Sequence, residues 1–350
     1  MTDTAADLSN LIPPPTEIDN SNQVYSVPVA CIVLGVITTI LVLLRLGGRI
    51  WCKSFGTDDW VTLAALVLFV GWTVLAAYAN LAGGVGKPLW EVTLGEWSIF
   101  WTTTLASTFL YPSVSGAIRI SSVLFFQRLF AHGTKSKWFL WILLALQVVY
   151  IIVFSIISGF LCDPIREIQD PFEVLMFCDF DLFFNTRTSV YVLAIAFDLA
   201  LAIFPMVIVY RLQMPAKKRI TAAAIFLVGA VATVASIYKF ALHIRSQQEV
   251  PHIDPKWFSY LMSRFVLPTS VSIGITFWIP CQIELSVALM GMSLPAIRQL
   301  YFQLRGRQQI TTTPRNTADK PSVAGLSGRK SGPWSFSHLQ DSDVELNQVA

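Results

Sequence analysis

Asp198 is a carboxylate that lies inside a long apolar stretch of this 350-residue chain, where an ionisable side chain is costly. Pro205 follows it two helical turns later, on the same face of a helix. A buried carboxylate beside a proline kink can bind an ion, a proton or a polar ligand. The alternative is that Asp198 only bonds a neighbouring helix and so specifies packing.

Arg119 and Glu284 are the second candidate pair, because each lies near the inner end of an apolar stretch. Opposite charges at the same depth in a bundle are expected to pair. We hypothesise that they form a contact that a conformational change would break. The alternatives are a static ion pair, or an Arg119 side chain that extends to the lipid headgroups.

Other chemistries find little support in the sequence. No group of histidines or cysteines has the spacing of metal ligands, and no Ser-His-Asp pattern stands out. The glycine run at 83–86 lacks the Gly-Lys-Ser/Thr of a phosphate-binding loop and is interpreted as a tight turn. We therefore expect no enzyme activity, no metal, no cofactor and no nucleic-acid partner.

Transmembrane helices are the elements that must position these residues. Hydrophobic residues make up 54% of the chain and charged residues only 13%, against about 25% charged in a typical soluble domain. About 20 apolar residues in a helix cross the bilayer core. Seven stretches meet this requirement: Val27–Leu44, Val61–Ala82, Trp97–Ile118 with an extension to Phe126, Trp138–Leu161, Thr188–Tyr210, Ile220–Tyr238 and Phe265–Met292.

The charges between these stretches orient the chain in the bilayer. Loops 1–2, 3–4 and 5–6 and the segment after the seventh stretch are rich in Arg and Lys, whereas the N-terminal segment and loop 4–5 are mainly acidic. Basic loops stay in the cytoplasm. The predicted fold class is therefore an all-α, seven-transmembrane helix bundle. It has an extracellular N-terminal segment 1–26, a membrane domain 27–302 and a disordered cytoplasmic tail 303–350.

Two of the five cysteines are expected to form a disulfide. Cys162 and Cys178 both fall in loop 4–5 on the outer side, where oxidation is permitted. Cys31 and Cys281 lie in helices and Cys52 is cytoplasmic, so these three are expected to stay reduced.

A short acidic motif opens the second helix on the cytoplasmic side. Thr57 can cap this helix, and Asp58 and Asp59 favour the positive end of its dipole. Trp60 suits the membrane interface. Structural duty explains the motif without a catalytic role.

Several short motifs occur in an order and spacing that resemble one known family over about residues 27–302. They are Asp58-Asp59-Trp60, Gly84-Val85-Gly86-Lys87, Ser122 to Phe130, Cys162-Asp163-Pro164 with Cys178, Asp198 to Pro205, Leu212-Gln213-Met214, Phe226 to Gly229, Glu284, and Leu294 to Arg298. On these residues the chain resembles the fungal rhodopsin-domain integral membrane proteins.

The resemblance implies a seven-helix fold rather than an activity. It does not imply retinal, because the seventh helix has no lysine for a Schiff base and Lys239 lies at the outer edge of the sixth. The chain departs from the family pattern at Arg119, where lysine is usual, and at Pro88, where histidine is usual. Family members occur beside secondary-metabolite genes, which implies a supporting role in such a pathway.

Two functions agree with this sequence. The first is a receptor-like protein that senses a small ligand and acts on a cytoplasmic signalling partner at the basic loops. The second is a transporter of a small metabolite or ion that uses Asp198. Both place the chain in a lipid bilayer as a multi-pass protein of the plasma membrane or another membrane of the secretory pathway.

The topology predicts where each end of the chain lies. An epitope fused to the C-terminus should bind antibody only in permeabilised cells, because seven spans place that end in the cytoplasm. An epitope at the N-terminus should lie on the opposite side of the same membrane. Finding both epitopes on one side would contradict an odd number of spans.

Overall fold

The chain folds as a bundle of α-helices in a computed structural model that describes residues 17–20, 23, 25–85, 92–130, 134–162, 178–211, 230–245 and 277–312. Among these residues there are seven helices and no named strand. The helices are α1 (Ser26–Trp51), α2 (Thr57–Ala82), α3 (Leu94–Phe130), α4 (Thr134–Gly159), α5 (Phe180–Arg211), α6 (230–245) and α7 (Ile279–Thr312).

Six of these helices, all except α6, are long and apolar enough to cross a membrane. The remaining helix, α6, covers the second half of the predicted sixth span, Ile220–Tyr238, and its first half lies outside the described residues. The all-α fold class and the multi-pass membrane location are confirmed.

The helix α1 shows how the sequence suits lipid as a solvent. Its buried stripe repeats every three to four residues, as one face of a helix should, and includes the polar Thr38 and Arg45. Its large exposed side chains are apolar, among them Val36, Ile40 and Leu43. Polar groups therefore face the bundle and apolar groups face outward, the reverse of a helix on a soluble protein.

The helix α3 is the centre of the bundle and packs against α2, α4 and α5. Its 37 residues include Pro112, which has no N–H to donate to the carbonyl of Thr108 one turn earlier. Ser158 of α4 donates a hydrogen bond to that carbonyl at 3.2 Å. A neighbouring helix thus satisfies the backbone group that the proline frees, as lipid requires.

The predicted disulfide between Cys162 and Cys178 is present and joins the segment after α4 to the start of α5. Cys31, Cys52 and Cys281 are free thiols, as expected.

Other expectations fall outside the described residues. They concern segment 1–16, Gly86-Lys87, loop residues 163–177, Leu212-Gln213-Met214, Phe226 to Gly229, the beginning of the predicted seventh span, and tail residues 313–350. The helix α7 continues to Thr312, ten residues into the segment predicted as tail.

Two glycines of α1 make a matched test of how closely α1 and α2 pack. A Cβ at position 35 would lie 2.6 Å from Cγ2 of Thr73, whereas a Cβ at position 47 would meet nothing within 4 Å. Thr73 has little freedom to turn away, because its hydroxyl donates to the Phe69 carbonyl and accepts from Gln282. We expect Gly35→Ala to destabilise by about 1–3 kcal/mol through overpacking, and Gly47→Ala to be neutral or stabilising by up to about 1 kcal/mol.

The measurement is thermal unfolding of the detergent-solubilised variants. Equal effects of the two substitutions would contradict the close approach of α1 and α2 at Gly35.

Candidate functional site

Arg119 lies at the centre of a cluster of buried charges. Its Nε bonds Asp198 Oδ1 of α5 at 2.8 Å, and its Nη2 lies 3.3 Å from Glu284 Oε1 of α7. Its Nη1 donates to Ser115 one turn earlier at 3.3 Å. Asp198 also accepts a hydrogen bond from Ser236 of α6 at 2.9 Å. One guanidinium from α3 therefore serves carboxylates on two other helices, and the predicted contact between Arg119 and Glu284 is confirmed.

Glu284 receives two further donors from other helices. The Tyr111 hydroxyl of α3 lies 2.8 and 2.9 Å from its two carboxylate oxygens. The Lys239 ammonium of α6 forms an ion pair with Glu284 and a hydrogen bond with Tyr111. We call Tyr111, Arg119, Asp198, Lys239 and Glu284 the central cluster.

Tyr111 and Lys239 are the members that the sequence analysis missed, and the charged one is Lys239. It was placed at the outer edge of the sixth helix, but only 1% of its surface is exposed and the helix α6 continues six residues beyond it, to 245. Its ammonium lies 4.3 Å from the Tyr111 ring centroid and 4.4 Å from that of Tyr191. The sequence contained one signal for it. Arg119 was the one candidate cation for two carboxylates, Asp198 and Glu284, so a second cation was needed to balance the charge.

The four ionised members of the central cluster sum to zero charge. Arg119 and Lys239 carry two positive charges, and Asp198 and Glu284 carry two negative ones. Burial of an ion costs several kcal/mol unless a partner and hydrogen bonds compensate it. Because each charge comes from a different helix, the balance holds only while α3, α5, α6 and α7 keep their present positions.

A cavity of about 90 Å³ adjoins the central cluster on the cytoplasmic side. Arg119, Asp198 and Pro205 line it together with apolar residues of α3, α5, α6 and α7. Asp198 and Pro205 therefore share a face of α5, as predicted, and 13% of the Asp198 side chain is exposed. The volume corresponds to roughly three water molecules. The cavity is therefore large enough for a few waters beside the Arg119–Asp198 ion pair and too small for a peptide.

A second cluster of charges lies at the cytoplasmic ends of α1, α2 and α3, and all of it is buried except Arg128, whose side chain is 43% exposed. Asp58 accepts from Arg49 at 2.8 Å and from Arg128 at 3.0 Å. Asp59 lies 3.2 Å from Arg49 and 3.7 Å from Arg45. We call Arg45, Arg49, Asp58, Asp59 and Arg128 the cytoplasmic cluster. Arg45 extends it to α7, because its Nη1 donates to the Met292 carbonyl at 2.8 Å.

The cytoplasmic cluster changes the interpretation of the acidic motif. The N-cap of α2 is Gly56 rather than Thr57, and the Gly56 N–H donates to Asp59 at 3.0 Å. The expectation that Thr57 caps the helix is therefore wrong, because the helix begins at Thr57 itself. Trp60 is 65% exposed, in line with an interfacial position. Arg45 and Arg49 belong in sequence to the edge of basic loop 1–2, but both are buried and face inward.

The sequence comparisons agree with this architecture. The family model described as the fungal rhodopsin domain matches residues 44–303. The chain is 26% identical to Receptor GIN3 of Arthrobotrys oligospora over 331 residues. This alignment covers 90% of this chain and 72% of that protein. It is 25% identical over 358 residues to Fugralins biosynthesis cluster protein 2 of Gibberella zeae, with 98% and 83% covered.

A shorter match is to Wortmanamides biosynthesis cluster protein C of Talaromyces wortmannii, 25% identical over 141 residues, 39% of this chain and 38% of that protein. No solved structure matches the chain significantly.

The pairing of Arg119 with Glu284 predicts non-additive effects on stability. Arg119→Gln and Glu284→Gln should each lower the thermal stability, because each leaves a buried charge without a partner, at a cost of about 3–5 kcal/mol. The double variant should be more stable than the sum of the two losses by roughly 0.5–3 kcal/mol. The measurement is thermal unfolding in detergent.

The matched control joins Arg119→Gln to Glu96→Gln. Glu96 bonds Thr93 at the outer end of α3, about 35 Å along the helix axis from Arg119 at 1.5 Å per residue. This second pair should be additive. Strict additivity of the Arg119 and Glu284 substitutions would refute the contact.

Proposed function

The chain belongs to the fungal rhodopsin domain family, and from this membership we propose that it is a receptor-like membrane protein. It senses a ligand within the helix bundle and transmits the change to partners in the cytoplasm. We propose no catalytic role for it.

The observation that carries the proposal is the central cluster. Glu284 accepts from Arg119, Tyr111 and Lys239, which lie on α3 and α6. A shift of α6 or α7 exchanges these partners all at once, since a carboxylate in a low-dielectric interior has no stable position without a donor. Such a cluster favours discrete arrangements over continuous ones, and a receptor needs discrete arrangements.

Cytoplasmic partners would meet a basic surface. Lys53, Lys135 and Lys137 are exposed at the cytoplasmic end, whereas Arg45 and Arg49 are buried in ion pairs. An acidic segment of a partner fits these lysines. The printed name of one relative, Receptor GIN3, supports the receptor reading. The names of two others as biosynthesis cluster proteins support an association with a secondary-metabolite pathway.

Transport of a small metabolite or ion is the second candidate. The observation in its favour is the cavity beside Asp198, a partly exposed carboxylate paired with Arg119. In this reading Asp198 alternates between its Arg119 partner and the cargo.

Neutralising Glu284 should change the distance between the cytoplasmic ends of the helices. Glu284→Gln removes the ion pairs that hold α7 to Arg119 of α3 and Lys239 of α6, so α7 should move away from these helices. Spin labels on cysteines at Lys137 of α4 and Leu294 of α7, both exposed positions, report this by pulsed electron resonance in nanodiscs, in a background without Cys52. We expect a second distance population shifted by about 2 Å or more.

Glu96→Gln is the control and should leave the distances unchanged, because its carboxylate lies at the outer end of α3. Identical distance distributions in wild type and Glu284→Gln would contradict a switch at the central cluster. Ion flux into liposomes that disappears in Asp198→Asn would favour transport instead.

A further inference from the structure

Aromatic side chains form a continuous layer between the central cluster and the outer end of the bundle. The ring centroids of Phe277 and Trp278 lie 4.9 Å apart, and those of Trp278 and Trp72 lie 5.3 Å apart. Tyr191 lies on the other side of Tyr111, at 6.1 Å. We call Trp72, Tyr191, Phe277 and Trp278 the aromatic layer. It joins α2, α5 and the beginning of α7.

Arg187 of α5 places a positive charge against this layer. Its guanidinium carbon lies 4.0 Å from the ring centroid of Phe277 and 4.9 Å from that of Phe183. Its Nη2 is buried and has no hydrogen-bond acceptor, and no carboxylate of the described residues lies within ion-pair distance of it. Aromatic rings compensate a desolvated cation only in part, so this guanidinium has unused capacity for an anion.

Two neutral donors in the same layer also have no acceptor. Trp72 and Trp278 are fully buried, and the indole Nε1 of each is without a hydrogen-bond partner in the described part of the chain. Gln282 donates to Thr73 at 3.1 Å, but its Oε1 is likewise unpaired there. A buried donor without an acceptor costs about 1–3 kcal/mol. The three unpaired donors, Arg187 Nη2 and the indole Nε1 of Trp72 and Trp278, share one aromatic surface and indicate a ligand that is rich in acceptors.

The charge sum of the bundle interior leads to the same conclusion. From Arg187 inward to Arg119, the buried or half-buried groups described in α3, α5, α6 and α7 are three cations, with Lys239 as the third, and two carboxylates, Asp198 and Glu284. Both carboxylates are held by Arg119 and Lys239. Among the residues that the structure describes, the positive charge of Arg187 therefore has no carboxylate partner and is available to an anion.

We propose that the aromatic layer and Arg187 form the binding site for an amphiphilic organic anion, a carboxylate on an apolar body. The carboxylate binds the guanidinium fork, which matches its planar geometry, and the apolar body lies against the rings of Phe277, Trp278 and Trp72. Trp278 and Trp72 donate to ligand oxygens, and Gln282 Oε1 accepts from a ligand hydroxyl or amide.

This assignment rests on the proposed receptor function for its consequence, because the site lies directly outside the central cluster. Lys239 lies over both the Tyr191 and Tyr111 rings, at 4.4 and 4.3 Å. Tyr111 and Lys239 are the donors that hold Glu284. An anion at the aromatic layer attracts the Lys239 ammonium away from Glu284, and the ion pairs of the central cluster then rearrange.

Thermal unfolding of the full chain in detergent tests the binding step. The probes are 1-naphthaleneacetate and octanoate, each paired with its uncharged amide. We expect each acid to raise the unfolding temperature saturably and its amide to have little effect. The response should weaken at least about ten-fold in Arg187→Gln, less in Arg187→Lys, and be unchanged in Arg211→Gln, a control at the other end of the same helix.

Trp278→Phe retains an aromatic ring, smaller than the indole, and removes the N–H, so apparent affinity should fall on the order of five-fold. This variant keeps the proposal testable if Arg187→Gln does not fold. Equal responses to acid and amide, no response to either acid, or full affinity in Arg187→Gln would overturn the site.

The spin labels at positions 137 and 294 separate this site from the proposed function. Acids that bind through Arg187 and shift the distance support both. Acids that bind through Arg187 without any shift support the site and contradict the receptor function.

Discussion

A carboxylate in the interior of a membrane bundle needs a cation within hydrogen-bond distance. This bundle has two such carboxylates, and their cations determine the arrangement of four helices. Asp198 on α5 and Glu284 on α7 share Arg119 of α3, and Glu284 also takes Lys239 of α6. Arg119 contacts both carboxylates and so joins the two ion pairs into one network. The hydrophobic effect contributes little between helices that are surrounded by lipid. These polar contacts therefore define which helices meet and at what depth.

The cytoplasmic cluster applies the same rule to the other side of the bundle. Asp58 and Asp59 begin α2, and arginines of α1 and α3 neutralise them. Arg128 lies nine residues after Arg119 on α3, about 13 Å along the axis at 1.5 Å per residue. One helix thus supplies a cation to each cluster. α3 connects the two halves of the bundle, and Pro112, which frees the Thr108 carbonyl that accepts from Ser158, follows directly after Tyr111 of the central cluster.

Hydropathy and charge predicted the helices, the contact between Arg119 and Glu284, and the disulfide, because each depends on position along the chain. Hydropathy and charge could not predict the rotation of each helix about its own axis. Lys239 lies near the end of an apolar stretch, where a charge is usually exposed, and Arg45 lies at the end of α1; both turn inward. Their direction depends on carboxylates that are distant in sequence, Glu284 for Lys239 and Asp58 for Arg45.

The helix α7 contacts every polar layer of the bundle and is therefore the element through which they are coupled. Its first turns carry Gln282 beside the aromatic layer and Glu284 in the central cluster. Two turns later, the Met292 carbonyl accepts from Arg45 of the cytoplasmic cluster, and its sulfur accepts from Ser122 of α3. A helix moves as a unit over this length, so a displacement of 1–2 Å at one layer reaches the others undiminished. Hydrogen bonds to charged groups tolerate little stretching, and a shift of that size must break a contact in each layer or exchange its partner.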